Sequence, residues 1–297
     1  MADLNGLCLC VMGGDRREVE LVRVLAESGA NVRSYGVPQA GLNGPLRACS
    51  LAANAEEACA GADAIILPLS GTDASGCVRI SASPVCITRE LLSVLRPGAA
   101  LFSGTIVAWV RDACAAAGVR MVETGNDDEL AILNSIPSAE GAIQMAMQAT
   151  PFTIHGSNCL VLGLGRTGAT LARMLRGIGA NVWAAARKPK DRARATEMCL
   201  APVSFSDLPA CLPQMDIVFN TVPAVVLNRE LIYVMRRTAV IIDLASAPGG
   251  TDFASAAERG IHAELAPGLP GKAAPLTAGR ILSRVIPEIV EANLRRS

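Results

Sequence analysis

Short apolar runs alternate with longer amphipathic stretches along the chain. Leu7–Met12 reads as a strand, and Glu18–Glu27 as a helix ending at Gly29. Further strands are predicted at Asn31–Tyr35, Ala64–Leu67, Ala99–Phe102 and Val119–Glu123, with helical spacing over Glu90–Leu95 and Ile106–Ala117. The rhythm restarts after Pro151: strand Asn158–Leu162, helix Gly168–Ile178, strand Asn181–Ala185, then strands Asp216–Asn220, Val240–Asp243 and His262–Glu264. Strands alternating with helices argue for βαβ units around parallel sheets. The halves echo one another, Glu27-Ser-Gly-Ala-Asn-Val-Arg33 against Arg176-Gly-Ile-Gly-Ala-Asn-Val182. Shared βαβ grammar and an old duplication both account for the echo. The expected fold is α/β, with two doubly wound parallel-sheet domains over 1–150 and 151–277. A helix Ser138–Thr150 is expected to bridge them. A C-terminal helix, Leu276–Leu294 with an interruption near Pro287, is expected to return to the first domain through residues 278–297.

Composition narrows the class. Of 297 residues, 51% are hydrophobic, 18% charged and 3% aromatic, so the cores must be aliphatic, as suits covered parallel strands. The 27 basic residues match 27 acidic ones, which favours neither nucleic acid nor an anionic membrane. The start carries no basic-then-apolar leader and no run is long enough to span a bilayer, so a cytoplasmic protein is expected. The ten cysteines are dispersed, no C-x-x-C pair occurs, and most lie among Ala, Val and Leu. Buried free thiols in a reducing compartment are expected, with no metal site and no disulfide framework.

The strongest motif is Leu160-Val161-Leu162-Gly163-Leu164-Gly165-Arg166-Thr167-Gly168, a G-x-G-x-x-G directly after an apolar strand and before an Ala/Leu-rich helix. Gly163 permits the tight turn, Gly165 lets a pyrophosphate approach the backbone, and Gly168 lets helix and strand pack closely. The helix-start amides of Arg166 and Thr167, aided by the helix dipole, would hold the phosphates. The second domain thus reads as a Rossmann NAD(P)-binding domain. An NAD site places an acid at the end of the second strand. Here Val182-Trp-Ala-Ala-Ala186 runs into Arg187-Lys188, two cations placed to meet a 2′-phosphate, so NADP is the expected cofactor. Thr221-Val222-Pro223 and Asp243 end later strands and should line the same crevice; Asp243 reads equally well as a loop cap.

Candidate substrate chemistry is thinner. Gly13-Gly14-Asp15-Arg16-Arg17 follows the first strand, where Arg16 and Arg17 could receive a carboxylate; Asp15 as a plain helix cap beside solvated arginines is the other reading. Ser70 and Thr72 follow the third strand and add hydroxyl donors. Ser138 and Glu140 belong to Asn134-Ser-Ile-Pro-Ser-Ala-Glu140, where Glu140 is a candidate acid or base and, equally, a capping residue. Lys272 is a lone cation in a Gly/Pro-rich loop, a candidate for the catalytic machinery that could bind an acidic substrate or do nothing specific. His155 and His262 lack the context of a hydride-transfer histidine and read as structural or surface residues.

Four stretches together resemble the A subunit of dipicolinate synthase from spore-forming bacteria: Gly13-Gly-Asp-Arg-Arg-Glu18, Asn134-Ser-Ile-Pro-Ser-Ala-Glu-Gly141, Gly163-Leu-Gly-Arg-Thr-Gly168 and Ala266-Pro-Gly-Leu-Pro-Gly-Lys272. They span nearly the whole chain in order. The resemblance implies an NADP-dependent oxidoreductase acting with a flavoprotein-like B subunit. Together they would form dipicolinate from a dihydrodipicolinate-type product of the lysine pathway, in the mother cell during sporulation. It carries over no catalytic residue. A dicarboxylate substrate would give Arg16, Arg17 and Lys272 a purpose, and a homo-oligomer is also expected. Two other readings stay open: an NADP-dependent dehydrogenase of another small carboxylic acid, akin to alanine or shikimate dehydrogenases, and a non-catalytic NADP(H)-binding partner subunit.

Overall fold

The computed structural model describes residues 2–38, 49–78, 80 and 84–295. The chain packs as two compact units, one running to Ala131 and resuming at Pro275, the other Ile132–Ala274.

Unit 1 contains β1 (Cys8–Met12), α1 (Arg16–Glu27), β2 (Asn31–Tyr35), β3 (Cys49–Leu51), α2 (Ala55–Cys59), β4 (Ala64–Ile66), β5 (Cys77–Val78), β6 (Val85–Cys86), α3 (Arg89–Ser93), β7 (Ala100–Ser103), α4 (Ala108–Ala116) and β8 (Arg120–Glu123). Helix α5 (Asp128–Ala149) begins in unit 1 and continues into unit 2. Unit 2 follows with β9 (Asn158–Leu162), α6 (Arg166–Ile178), β10 (Asn181–Ala185), α7 (Pro189–Glu197), β11 (Ala201–Val203), α8 (Leu208–Cys211), β12 (Ile217–Asn220), α9 (Arg229–Val234), β13 (Val240–Asp243), α10 (Phe253–Arg259), β14 (His262–Leu265) and α11 (Leu269–Ala273). The last helix, α12 (Pro275–Leu294), belongs to unit 1 and packs along α1, where Gly279 lies against the Arg17 backbone.

Each unit holds a six-stranded, all-parallel sheet. The orders are β3-β2-β1-β4-β7-β8 and β11-β10-β9-β12-β13-β14, the same doubly wound arrangement twice. The chain turns back across the sheet beside β1 in one unit and β9 in the other. Both strands are apolar because helices cover both faces; every residue of β1 is buried, as are four of five in β9. Phe102 and Phe219, fully buried in β7 and β12, each gain about 1.5–3 kcal/mol from leaving water. Burial also silences thiols: it pushes Cys114 up to about 11 and Cys159 up to about 12, so neither is a thiolate at neutral pH. Among the described residues no helix is long and apolar enough to cross a membrane, and no cluster of His, Cys, Asp or Glu could hold a metal ion.

Three expectations need correction. Helix α5 starts at Asp128, ten residues before Ser138, because Asp127 Oδ1 caps it by accepting the Leu130 N–H at 2.8 Å. Pro137 sits inside the helix, and Ser138 is no cap: its hydroxyl donates to the Asn134 carbonyl at 2.8 Å, one turn back. Helix α12 likewise runs on through a buried Pro287. Finally, Cys77 and Cys86 are joined as a disulfide, because the antiparallel pairing of β5 with β6 sets them directly opposite one another. Two-residue strands leave no alternation to read, so this pair was invisible in the sequence.

Candidate functional site

In unit 2 the β9–α6 turn is built as the glycine spacing requires. Gly163 has φ +90°, and a Cβ there would lie 2.7 Å from Thr221 Oγ1. A Cβ on Gly168 would lie 2.0 Å from the Gly163 carbonyl oxygen, so this glycine sets how closely α6 meets β9. Gly165 differs: it is the N-cap of α6, its φ of −82° suits any residue, and nothing lies within 4 Å of where its Cβ would be. The space above Gly165 is open, and this N-cap brings no side chain of its own to the first amides of α6. Both residues are on the first turn, Arg166 exposed and Thr167 half-buried. These features fit a dinucleotide pyrophosphate: a helix start with no capping side chain, a positive helix end and a cradle that a side chain would fill.

The loops after β12 and β13 are pinned together beside this turn. Thr221 Oγ1 donates to the Leu162 carbonyl at 2.9 Å, under the glycine turn. Val222 N donates to Asn220 Oδ1 at 3.0 Å, and Pro223 follows exposed. Asp243 is fully buried and saturated: Oδ1 accepts from Asn220 Nδ2 (2.9 Å) and Ala245 N (3.0 Å), Oδ2 from Gly250 N (2.8 Å) and Thr251 Oγ1 (2.7 Å). Its carboxylate therefore shapes the loops that flank the turn. Arg187 and Lys188 stand exposed where β10 ends, and Lys188 caps the start of α7. Arg192, not singled out in the sequence, donates from Nη1 to the carbonyls of Ala186 (3.1 Å) and Arg187 (2.8 Å) and so fixes that corner.

Glu140 and Lys272 are both exposed, one on α5 and one on α11. The two helices approach at Gly141, where a Cβ would sit 3.1 Å from Ala273 Cβ and Leu269 Cδ2. Nearby, Ser135 Oγ bonds Thr170 Oγ1 at 2.6 Å and ties α5 to α6.

Unit 1 has a cavity of about 390 Å³ at the matching place, beyond the carboxyl ends of β1 and β4. Gly14, Asp15 and Arg17 line one side and Pro68, Ser70, Gly71, Thr72 and Asp73 the other. Arg16 is exposed and outside this lining. Thr72 Oγ1 is buried without a hydrogen-bond partner, a polar atom left for a ligand to satisfy. The helix end here is already occupied. Asp15 caps α1 by accepting Arg17 N at 2.9 Å, and Glu18 Oε2 accepts Asp15 N at 2.7 Å, completing a capping box. The capping box at α1 already takes the Arg17 and Asp15 amides, whereas Gly165 caps α6 with no side chain, so the two units diverge in chemistry at the same point of the same topology. Arg17 is 8% exposed and held by Asp15 through Nε (2.9 Å) and Nη2 (3.0 Å). Burial opposes ionisation of Asp15, but the Arg17 hydrogen bonds outweigh it and hold the carboxyl below the usual range.

Residues 9–124 match the family described as the N-terminal domain of the dipicolinate synthase A subunit. Over 291 residues the chain is 41% identical to the A subunit of dipicolinate synthase from Bacillus subtilis, covering 97% of each. The chain belongs to the family of dipicolinate synthase A subunits. Solved structures agree: that of the Bacillus halodurans A subunit superposes with TM-score 0.89 at 38% identity, covering 97% of this chain and 98% of that one. The Bacillus subtilis dipicolinate synthase structure gives 0.90 at 39% identity, covering 100% and 99%. Residues 136–249 match a second family, described as the NAD binding domain of D-isomer specific 2-hydroxyacid dehydrogenases. A nicotinamide-binding oxidoreductase domain is thus established for this member of the dipicolinate synthase family. The sequence already hinted at the overlooked Glu18, since Asp15-Arg-Arg-Glu18 spells the capping box, but not at its burial.

Proposed function

We propose that the chain is the NADP-dependent oxidoreductase subunit of a dipicolinate synthase, converting a dihydrodipicolinate-type intermediate of the lysine pathway to dipicolinate in sporulating cells, together with a flavoprotein-like second subunit. The observation that carries this is the open face of Gly165 at the bare start of α6, beside a β10 end that bears Arg187 and Lys188 and no acid. Gly163, Gly165, Arg166, Thr167 and Gly168 would hold the pyrophosphate, Arg187 and Lys188 the 2′-phosphate. The Thr221-Val222-Pro223 loop, shaped by Asp243, would flank the nicotinamide half. Bound there, NADP would supply a hydride acceptor.

Aromatising the dihydro ring removes one hydride and one proton. We assign the proton to Glu140, which is exposed to solvent, and to Lys272 a cation for the carboxylates that substrate and product share. Ser138 is the remaining residue of that stretch assigned to substrate. The unit 1 cavity, with Arg17, Ser70 and Thr72, supports recognition of a dicarboxylate, and Arg16 supplies a nearby exposed charge.

The test is formation of dipicolinate, followed by its absorbance, from the upstream lysine-pathway product with NADP or NAD, with and without the second subunit. NADP-dependent formation requiring this chain is expected. If dipicolinate accumulates equally with the chain omitted, the assignment fails. The Arg187→Ala/Lys188→Ala double variant should weaken NADP by about 10- to 100-fold, ~1.4–2.8 kcal/mol, and leave NAD unchanged, read as KM for each cofactor. Equal loss for both cofactors would remove the 2′-phosphate role.

A further inference from the structure

Glu18 lies behind the wall of the unit 1 cavity. It is 1% exposed, and its space exists because residue 14 is glycine: a Cβ on Gly14, at φ +103°, would come within 2.4 Å of Glu18 Cδ and Oε2. Oε2 accepts the Asp15 N–H, but Oε1 is buried without a partner. Glu18 also lines a second cavity of about 10 Å³, room for at most one water, walled by Ile66, Leu67, Leu69, Thr124, Leu282 and Ile286. The charged groups facing Glu18 are Arg17 and Asp15 of its own helix start. Apart from Thr124, the residues that wall this small cavity with it are apolar. On α12, Arg280 acts on Glu20 and Arg284 pairs with Glu129 at 2.9 Å. Burial pushes the Glu18 carboxyl above its usual range, against the opposing charge of Arg17.

We infer that Glu18 is a positioning residue that makes anion binding in the unit 1 cavity depend on a proton. This rests on reading that cavity as the carboxylate site. With Glu18 protonated, Asp15, Arg17 and Glu18 together carry no net charge, and Arg17 Nη1, which Asp15 does not engage, can meet a ligand carboxylate. Once Glu18 ionises, a net negative charge stands directly behind Gly14 and repels the dianion. Ligand binding therefore draws one proton onto Glu18 when the solution is alkaline to its titration. The same linkage acts on folding. A raised folded value means the contribution to stability is complete below the ordinary Glu range and is lost as pH rises through the folded value.

Calorimetric titration of the full chain with dipicolinate tests this, in two buffers of different ionisation heat at each pH from the ordinary Glu range upward. The wild type should take up close to one proton per ligand bound, its affinity falling toward about tenfold per pH unit above the Glu18 titration. Glu18→Gln keeps an amide oxygen for the Asp15 cap and should bind without proton uptake and with constant affinity. Equal uptake by wild type and Glu18→Gln overturns the inference. Should that variant fail to fold, carbon-13 spectra of the Glu18 carboxyl in the wild type decide. A shift to the protonated form on adding dipicolinate supports the inference, and an unmoved signal rejects it. Thr72→Phe, which fills the cavity, separates the two levels. Undiminished dipicolinate binding to it rejects the cavity reading and the inference together. Lost binding to it, with equal uptake by wild type and Glu18→Gln, rejects the role of Glu18 alone.

Discussion

Gly165→Val should leave the protein folded, its melting temperature lowered only by the poorer N-cap, and weaken nicotinamide nucleotide binding by at least about 100-fold, ~2.8 kcal/mol. The two halves of this result have separate causes. The φ of −82° at residue 165 is ordinary for valine, and nothing lies within 4 Å of the new Cβ, so the cost to the fold is only that of a poorer N-cap, about 1 kcal/mol. The added methyls instead fill the space through which a pyrophosphate reaches the α6 amides. Gly168→Val is the contrasting control: its Cβ would sit 2.0 Å from the Gly163 carbonyl, so folding itself should suffer. Titration of cofactor fluorescence and a thermal melt on each variant distinguish these outcomes. Tight nucleotide binding by folded Gly165→Val would place the pyrophosphate elsewhere.

Asp243→Ala should cost about 3–5 kcal/mol of stability, read as a lowered urea midpoint. The carboxylate is fully buried and takes four donors, and truncation strands Ala245 N, Gly250 N and Thr251 Oγ1 away from water. Asn220 Nδ2 retains the Val222 carbonyl at 3.1 Å and is the least affected. Because these bonds link the loops after β12 and β13, nucleotide affinity should fall together with stability. A loss below about 1 kcal/mol would show that the network is replaceable by water.

The sequence and the structure meet where the physics is local. Asn158–Leu162, Asn181–Ala185 and Val240–Asp243 were legible to the residue as short, mostly apolar runs ended by turn residues, and Asn31–Tyr35 through the glycine helix stop that leads into it. The glycine turn was legible because each glycine answers a separate steric demand. What stayed hidden depends on distant partners. Pro137 argues for a helix start on local grounds, yet α5 runs through it, tied to α6 by Ser135 and Thr170. Asp243 was open between ribose ligand and loop cap until its four donors were visible, all but Asn220 supplied by the loop that follows it. Arg16 and Arg17 look alike in sequence, and only the fold exposes one and binds the other to Asp15 inside the cavity wall.

In the proposed function the start of α6 grips a dinucleotide and the two cations ending β10 choose its phosphorylated form. Equilibrium titration of the full chain with NADP and with NAD, at one low salt concentration, tests both roles. NADP should bind about tenfold or more tighter. Equal affinities, a preference for NAD, or no binding of either would contradict it.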